Sequence, residues 1–397
     1  MTDPAAPLPL ERPNHFDPPA ALARLRASDP VSPLAYPDGH TGWLVTGHAL
    51  VRAVLADSRF SSRAELNHFP IPRASAPATL QPAPPGIFTR MDPPDHTRYR
   101  HLLTGQFTVR RMRELTTRIE QITTEHLDAM DRHGPPVDLV EAYAMPIPAL
   151  VICELLGVPS TDRERFQRHS AELMRLDNTP QERITAYTAL QEFMHALVTA
   201  KRAEPTDDML SGLTAADITD EELTNIGFML LGAGFETTAN MLALGTFALL
   251  CHPDQLAFLR ADPSSIDHTV EELLRYLSVV PYTTRTALED VELDGRVVKA
   301  GETVTVSISA ADRDPHRFTD PDVLDLRRQT GGHLAFGHGI HQCLGQQLAR
   351  VEMRVGYPAL FNRFPTLRLD VAPEEVPLRT DMLIYGVHRL PVTWDAA

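Results

Sequence analysis

The chain has 397 residues, 43% of them hydrophobic, and a formal net charge of −15. Length and apolar content suffice for a large buried core, and the acidic balance argues against nucleic acid or an anionic membrane surface as a partner. Its three cysteines, Cys153, Cys251 and Cys343, are too few for a disulfide framework, so the chain reads as cytoplasmic.

Residues 1–19 are rich in proline, lack the basic and apolar regions of a signal peptide, and read as an extended arm. Ala20–Ala27 predicts a helix, Gly42–Thr46 a strand and Ala49–Ala56 a short helix. Ser61–Gly86, crowded with prolines, reads as a long loop of the kind that is functional or mobile. From His96 to about Leu250 apolar residues recur at three- and four-residue steps, predicting one helix after another, with breaks at Gly134-Pro135-Pro136, Pro159-Ser160, Asn178-Thr179-Pro180 and Glu204-Pro205-Thr206. The longest pattern, Ile218–Leu250, opens on Thr219 with Glu222 in capping-box register. Glu236, Asn240 and its glycines mark it as a buried helix and not a membrane span. Helical signals continue through Asp254–Ala261 and Ile266–Val279. Strand-like alternation comes later, at Thr286–Leu293, Arg296–Val298, Thr303–Ser309, Val376–Arg379 and Val387–Thr393. The expected fold class is mainly α with a minor β portion, in a single domain over residues 1–397.

Four stretches carry chemistry. In His333–Arg350, HLAFGHGIHQCLGQQLAR, a glycine-shaped loop delivers Cys343 to the start of a helical pattern. Free backbone N–H groups at a helix start favour a thiolate, a good ligand for a soft or borderline metal. A zinc site from His333, His338, His341 and Cys343 fits none of the usual spacings, and an unliganded structural cysteine is the other alternative. Within Ile218–Leu250, the run Gly232-Ala233-Gly234-Phe235-Glu236-Thr237-Thr238 puts glycines, a carboxylate and threonines inside an apolar helix. A buried carboxylate is costly without a partner or a task; the plain alternative is a core ion pair with glycines for close packing. Glu272 and Arg275 form an i,i+3 pair, ordinarily a weak surface bridge. His96 and Arg100, four apart after Met91-Asp92-Pro93-Pro94, put two cations on one helix face, which suits a carboxylate pair or else a basic surface patch.

Phe336-Gly337-His338-Gly339-Ile340-His341-Gln342-Cys343-Leu344-Gly345 resembles the haem-binding loop of the cytochrome P450 family, and the other three stretches resemble that family's motifs in the right order. The resemblance implies the cytochrome P450 fold, with haem between the long central helix and the helix after the cysteine loop. It makes Cys343 the axial ligand of haem iron, with Phe336 packed beside it and Ala233 and Gly345 at the cofactor. His96, Arg100, Arg285 and His341 would face the haem propionates. Glu236 and Thr237 would be the acid–alcohol pair that delivers protons to dioxygen, where the long helix opens locally. Glu272, Arg275 and Arg328, rather than Arg327, would form a structural triad. Asp312 stands where the family often has Asn, and Leu324 where it often has Phe.

Substrate would lie near Phe88, Met229, Leu230, Val280 and Ile384, an apolar set that implies a hydrophobic small molecule. Other parts of that surround are the Ser61–Phe88 loop and the helices around Arg175–Tyr187. The pattern is most similar to soluble actinobacterial members acting on polyketides, macrolides and other secondary metabolites. The implied reaction is monooxygenation, by hydroxylation or epoxidation, with haem b (iron protoporphyrin IX) as cofactor. A non-catalytic haem-binding sensor or carrier on the same scaffold is the alternative. With no flavin or iron–sulfur segment in the chain, electrons are expected from a ferredoxin and an NAD(P)H-dependent ferredoxin reductase. Arg110, Arg111, Arg113, Arg350 and Arg354 are the expected docking cations. No membrane and no nucleic acid is expected as a partner, and the chain is expected to be a monomer.

Overall fold

The structure is a computed structural model describing residues 5–72, 81–163, 165, 179–380 and 382–395. Its frame is the helix Asp220–Cys251, whose 32 residues span about 48 Å at the usual rise. The Thr219 hydroxyl accepts from the Glu222 N–H at 3.2 Å, and the Glu222 carboxylate accepts from the Thr219 N–H at 2.7 Å, so the capping box forms as expected. Arg98 and Tyr99 each donate to the same carboxylate at 2.6 Å, tying the helix start to the helix Asp95–Thr104. Burial alone would raise the Glu222 carboxyl, but these donors hold it down at about 2.

The long helix packs against Pro146–Leu156, Pro180–Ala203 and Gln346–Arg363. Close approach to the last of these is dictated by Gly245, where a side chain would lie 2.1 Å from the Tyr357 hydroxyl. The main apolar core surrounds this bundle.

Strands β1 (Val31–Ala35), β2 (Thr41–Val45), β3 (Phe60–Ser61), β5 (Tyr282–Ala287) and β8 (Thr303–Ser307) make one five-stranded sheet in the order β1-β2-β8-β5-β3. β2 and β8 run parallel, with Leu44 opposite Thr305, and the other neighbours are antiparallel. A second sheet joins β4 (Val137–Asp138), β10 (Pro391–Thr393) and β9 (Arg368–Leu369). β6 (Val291–Leu293) and β7 (Arg296–Val298) form a hairpin across Asp294-Gly295, both at positive φ.

The differences from the sequence reading have local causes. The expected strand 286–293 is two strands that belong to different sheets. The one expected over 303–309 ends at Ser307, whose hydroxyl accepts from the Ala310 N–H at 3.2 Å and caps a helical turn. The expected strand 376–379 contributes one bridge, Leu378 to Val387. Residues 5–19 are extended but not a free arm: Ala6 bridges to Leu34, and Leu8 and Phe16 are buried. Of the expected loop 61–86, residues 73–80 lie outside the described residues. No single helix among the described residues is long and apolar enough to cross a membrane.

Candidate active site

Cys343 ends a loop that its glycines shape. Gly337 and Gly339 have φ of 70° and 74°, where a Cβ is strained, and a side chain on Gly339 would lie 2.3 Å from the Leu55 carbonyl oxygen. The Cys343 N–H donates to the Phe336 carbonyl at 2.9 Å, fixing the cysteine to the aromatic before it. The following helix starts at Gln346, slightly later than the pattern suggested. Burial pushes the Cys343 thiol above its ordinary value, outweighing the amides of Gly345 and Gln346 and the charges of Arg100 and Arg350. The helix start therefore favours the thiolate less than burial disfavours it. Yet Cys343 is only partly covered, and no residue from 335 to 347 is fully buried. Cys343 and its loop are thus partly covered where the flanking Leu334 and Leu348 are buried.

Behind the loop, the Arg350 guanidinium lies 4.5 Å over the Phe336 ring and donates twice to Glu271, at 2.5 and 3.0 Å. The Ala335 N–H donates to His333 Nδ1 at 3.2 Å, so Nε2 carries the proton and donates to Glu271 at 2.9 Å. Burial would raise the Glu271 carboxyl; these donors bring it to about 2. His333 is thus engaged with a carboxylate. Among the described residues no three His, Cys, Asp or Glu side chains converge as a metal-ion site.

The expected basic cluster is assembled from three elements. His96 and Arg100 sit on the helix Asp95–Thr104, Arg285 on β5, and His341 on the cysteine loop. The His96 and His341 rings are 4.2 Å apart. His96 is 2% exposed, and neither of its ring nitrogens completes a hydrogen bond; His341 Nδ1 is likewise buried and unpartnered. Burial, then Arg285, His96 and Arg100, push His341 down to about 3. Burial and Arg90 push Arg285 down to about 10, against the pull of Asp92. Asp92 is itself occupied, accepting from the Ser61 hydroxyl at 2.6 Å and the Ser62 N–H at 2.9 Å. Buried cations and unmet imidazole nitrogens with one engaged carboxylate nearby are a site for a dianion. Arg90 belongs to this cluster and was missed; a single arginine between Phe88 and Met91 carries no periodic or motif signal.

On the long helix, Ala233 is exposed and Gly232, Glu236 and Thr237 are half-covered, in the middle of otherwise buried turns. A side chain on Gly232 would have nothing within 4 Å, so this glycine borders open space and does not serve helix packing. The local opening implied by the family resemblance is absent: the helix is continuous, and the Thr237 hydroxyl donates to the Ala233 carbonyl at 2.8 Å. Glu236 is ion-paired with Arg379, a partner from the C-terminal segment. That pairing was also missed, because Arg379 sat at the end of an apolar, strand-like run.

Glu272 accepts from Arg275 Nε and Nη2 at 2.8 Å and from Arg328 Nε at 3.1 Å. Arg327 instead lies 4.0 Å over the Phe258 ring. Asp312 is fully buried and accepts from the Leu334 N–H at 2.7 Å and the Ser278 hydroxyl at 3.1 Å, while its carbonyl accepts from Arg275 at 2.8 Å. Leu324, where the family often has Phe, is 2% exposed in the core.

Of the apolar set, the Phe88 ring lies 5.9 Å from His96 and Met229 receives a contact from the Thr89 hydroxyl. Leu230 is buried in the core, and Met229, Val280 and Ile384 pack against it. Residues 175–178 lie outside the described residues. The expected cationic patch is largely neutralised: Arg110 and Arg111 pair with Asp207, Arg350 with Glu271 and Arg354 with Asp267. Arg113 has no ion-pair partner among the described residues.

A helical bundle around one long helix, a thiol on a glycine loop and a basic cluster built for a dianion define a haem-thiolate protein. A sequence model described as Cytochrome P450 matches residues 177–391. The chain is 53% identical to "Cytochrome P450 105C1" of Streptomyces sp over 98% of this chain and 99% of that protein. It is 42% identical to "Pentalenic acid synthase" of Streptomyces avermitilis over 99% and 100% of the two chains. The crystal structure of CYP105P1 in complex with filipin I superposes with a TM-score of 0.90, at 41% identity over 99% of this chain and 100% of that one. The chain belongs to the cytochrome P450 family. It has that family's fold, and with it a haem cofactor and the use of dioxygen, a substrate and a redox partner in monooxygenation.

Proposed function

We propose that the protein, a single domain, hydroxylates or epoxidises a hydrophobic secondary metabolite of polyketide or macrolide type with haem b as cofactor. For hydroxylation the balance is RH + O2 + two electrons + two protons giving ROH and water. The observation that carries the site assignment is the set of buried, unpartnered nitrogens of His96 and His341 beside Arg100 and Arg285, together with the partly covered Cys343 on its glycine loop. Haem b held there supplies the iron centre at which dioxygen is activated. Cys343 gives the sulfur ligand, Phe336 shields it and Gly345 keeps the helix start clear. His96, Arg100, Arg285 and His341, with Arg90, offset the propionate charge. Ala233 and Gly232 leave room above the cofactor, and Phe88, Met229, Leu230, Val280 and Ile384 exclude water and hold the substrate. Glu236 and Thr237 pass protons into that dry space.

Carbon monoxide added to the reduced protein should give a Soret band at the thiolate position, and Cys343→Ser should abolish it; a wild-type band at the imidazole position would overturn the ligand assignment. Thr237→Ala should divert turnover from product to peroxide, and product coupling equal to wild type would remove Thr237 from the relay. Arg285→Met should weaken haem retention roughly tenfold to a hundredfold, the worth of one charge-assisted hydrogen bond. Because Arg285 is a buried cation with little compensation, the haem-free protein should lose no thermal stability. Equal haem retention in the variant would refute its propionate role.

The secondary-metabolite reading rests on likeness to a pentalenic acid synthase and to a protein crystallised with filipin I, and its polyketide or macrolide part on the latter. An external ferredoxin, reduced through an NAD(P)H-dependent reductase, fits the cysteine side of this cytoplasmic monomer. There Ile340 is 48% exposed and His338 feels the charge of exposed Arg52, an apolar tip with a basic surround. Reduction by an acidic ferredoxin should slow with added salt.

A further inference from the structure

The ion pair on Glu236 creates a tension with the role proposed for it. A carboxylate held by a guanidinium must leave that partner before it can pass a proton along the helix to Thr237. The pairing arginine, Arg379, is held in turn: its N–H donates to the Gly386 carbonyl at 2.9 Å. A side chain on Gly386 would collide with the Asn240 side chain, one helical turn on from Glu236, so the C-terminal segment sits directly on this face of the helix. Arg379 Nη2 binds Glu236, yet Arg379 Nε is buried with no hydrogen-bond partner. A buried N–H without a partner is unfavourable.

Beside these groups lies a cavity of about 20 Å³ lined by Glu236, Asn240, Arg379, Val140 and Met145, enough for about one water. Arg379 also lines a second cavity of about 60 Å³, bordered by Leu8, Leu10, Arg12, Pro281 and Met382. Leu10 is 50% exposed, so the second cavity leads outward. Arg379 is the residue shared by the two.

We infer that Arg379 is the positioning residue for Glu236, and that with Asn240 it holds a water that resupplies the acid's proton from the side of the N-terminal stretch. This rests on Glu236 being the relay acid. In the resting state Arg379 keeps the Glu236 carboxylate turned toward the water; a solvent proton passed through that water neutralises the carboxylate and frees it from Arg379, the neutral acid turns and gives this proton up toward Thr237, and the carboxylate so restored returns to Arg379.

A high-resolution crystal structure of the ferric holoenzyme should show a water hydrogen-bonded to Arg379 Nε in the smaller cavity. In turnover, Arg379→Met should lower kcat about tenfold and raise the solvent isotope effect on kcat, with KM within about twofold of wild type. Arg379→Lys should recover part of both changes. A dry cavity, a rise in KM alone, or unchanged kcat and isotope effect in Arg379→Met overturns the inference. Glu236→Gln, measured alongside, separates the two readings. If it leaves product coupling intact, the relay assignment itself falls; if it uncouples while Arg379→Met leaves kcat and the isotope effect unchanged, the role of Arg379 alone falls.

Discussion

Glu272→Ala should cost about 3–5 kcal/mol of unfolding free energy, the range for breaking a buried ion pair from one side. Glu272 and Arg275 are both 0% exposed. The carboxylate collects donors from separate parts of the chain: Nε and Nη2 of Arg275, Nε of Arg328, the Thr330 hydroxyl at 3.1 Å and the Asp325 N–H at 3.1 Å. Arg275 in turn reaches the carbonyls of Asp312 and Pro321, each at 2.8 Å. Truncation leaves a guanidinium buried without counter-charge and frees the segment 321–330 from the helix Ile266–Leu277. Glu272→Gln, which keeps an acceptor of similar shape, should cost less. Arg327→Ala removes a surface cation from an aromatic ring and should change stability by less than about 1 kcal/mol. Denaturant unfolding of the holoenzyme should rank the variants in that order. A Glu272→Ala protein as stable as Arg327→Ala would show that the triad does not support the fold.

The triad also shows how far a sequence can be read. Spacing places Glu272 and Arg275 on one helix face, but on an ordinary helix that pair is worth little. Only the family motif raised it above the surface reading and chose Arg328 over Arg327. The capping box at Thr219 and Glu222 was legible from local chemistry alone, since both partners lie within one turn. His96 and Arg100 were legible as a pair through their spacing; Arg285 and His341 entered only through resemblance, because a strand and a distant loop bring them there. Arg90 and Arg379 were invisible. Each is a single charged residue whose partner is set by tertiary packing, and nothing in its neighbours records that. Strand ends failed for the same kind of reason: Ser307 caps a turn with its own hydroxyl, and 286–293 divides because its two halves pair with different strands.

Glu352 leads to the other large effect. It lies on the helix Gln346–Arg363 after the cysteine loop, is 3% exposed, and its Oε2 has no hydrogen-bond partner among the described residues. Burial alone pushes this carboxyl well above its ordinary value. The sign follows from proton counting. An unfolded glutamate loses its proton near pH 4.3, whereas folded Glu352 keeps its own. Above that pH the folded state binds more protons than the unfolded, so stability falls as pH rises, by about 1.4 kcal/mol per unit, until the folded carboxyl ionises. Glutamine has the shape of the protonated acid and no such slope. Glu352→Gln should therefore match wild type at mildly acidic pH and become the more stable protein as pH rises above the ordinary glutamate range, the gap widening until the folded carboxyl ionises. Urea unfolding of both holoenzymes across a pH series measures the gap directly, with the exposed Glu114→Gln as a flat reference. A gap between Glu352→Gln and wild type that stays constant with pH would mean that Glu352 is ionised and paired in the folded protein.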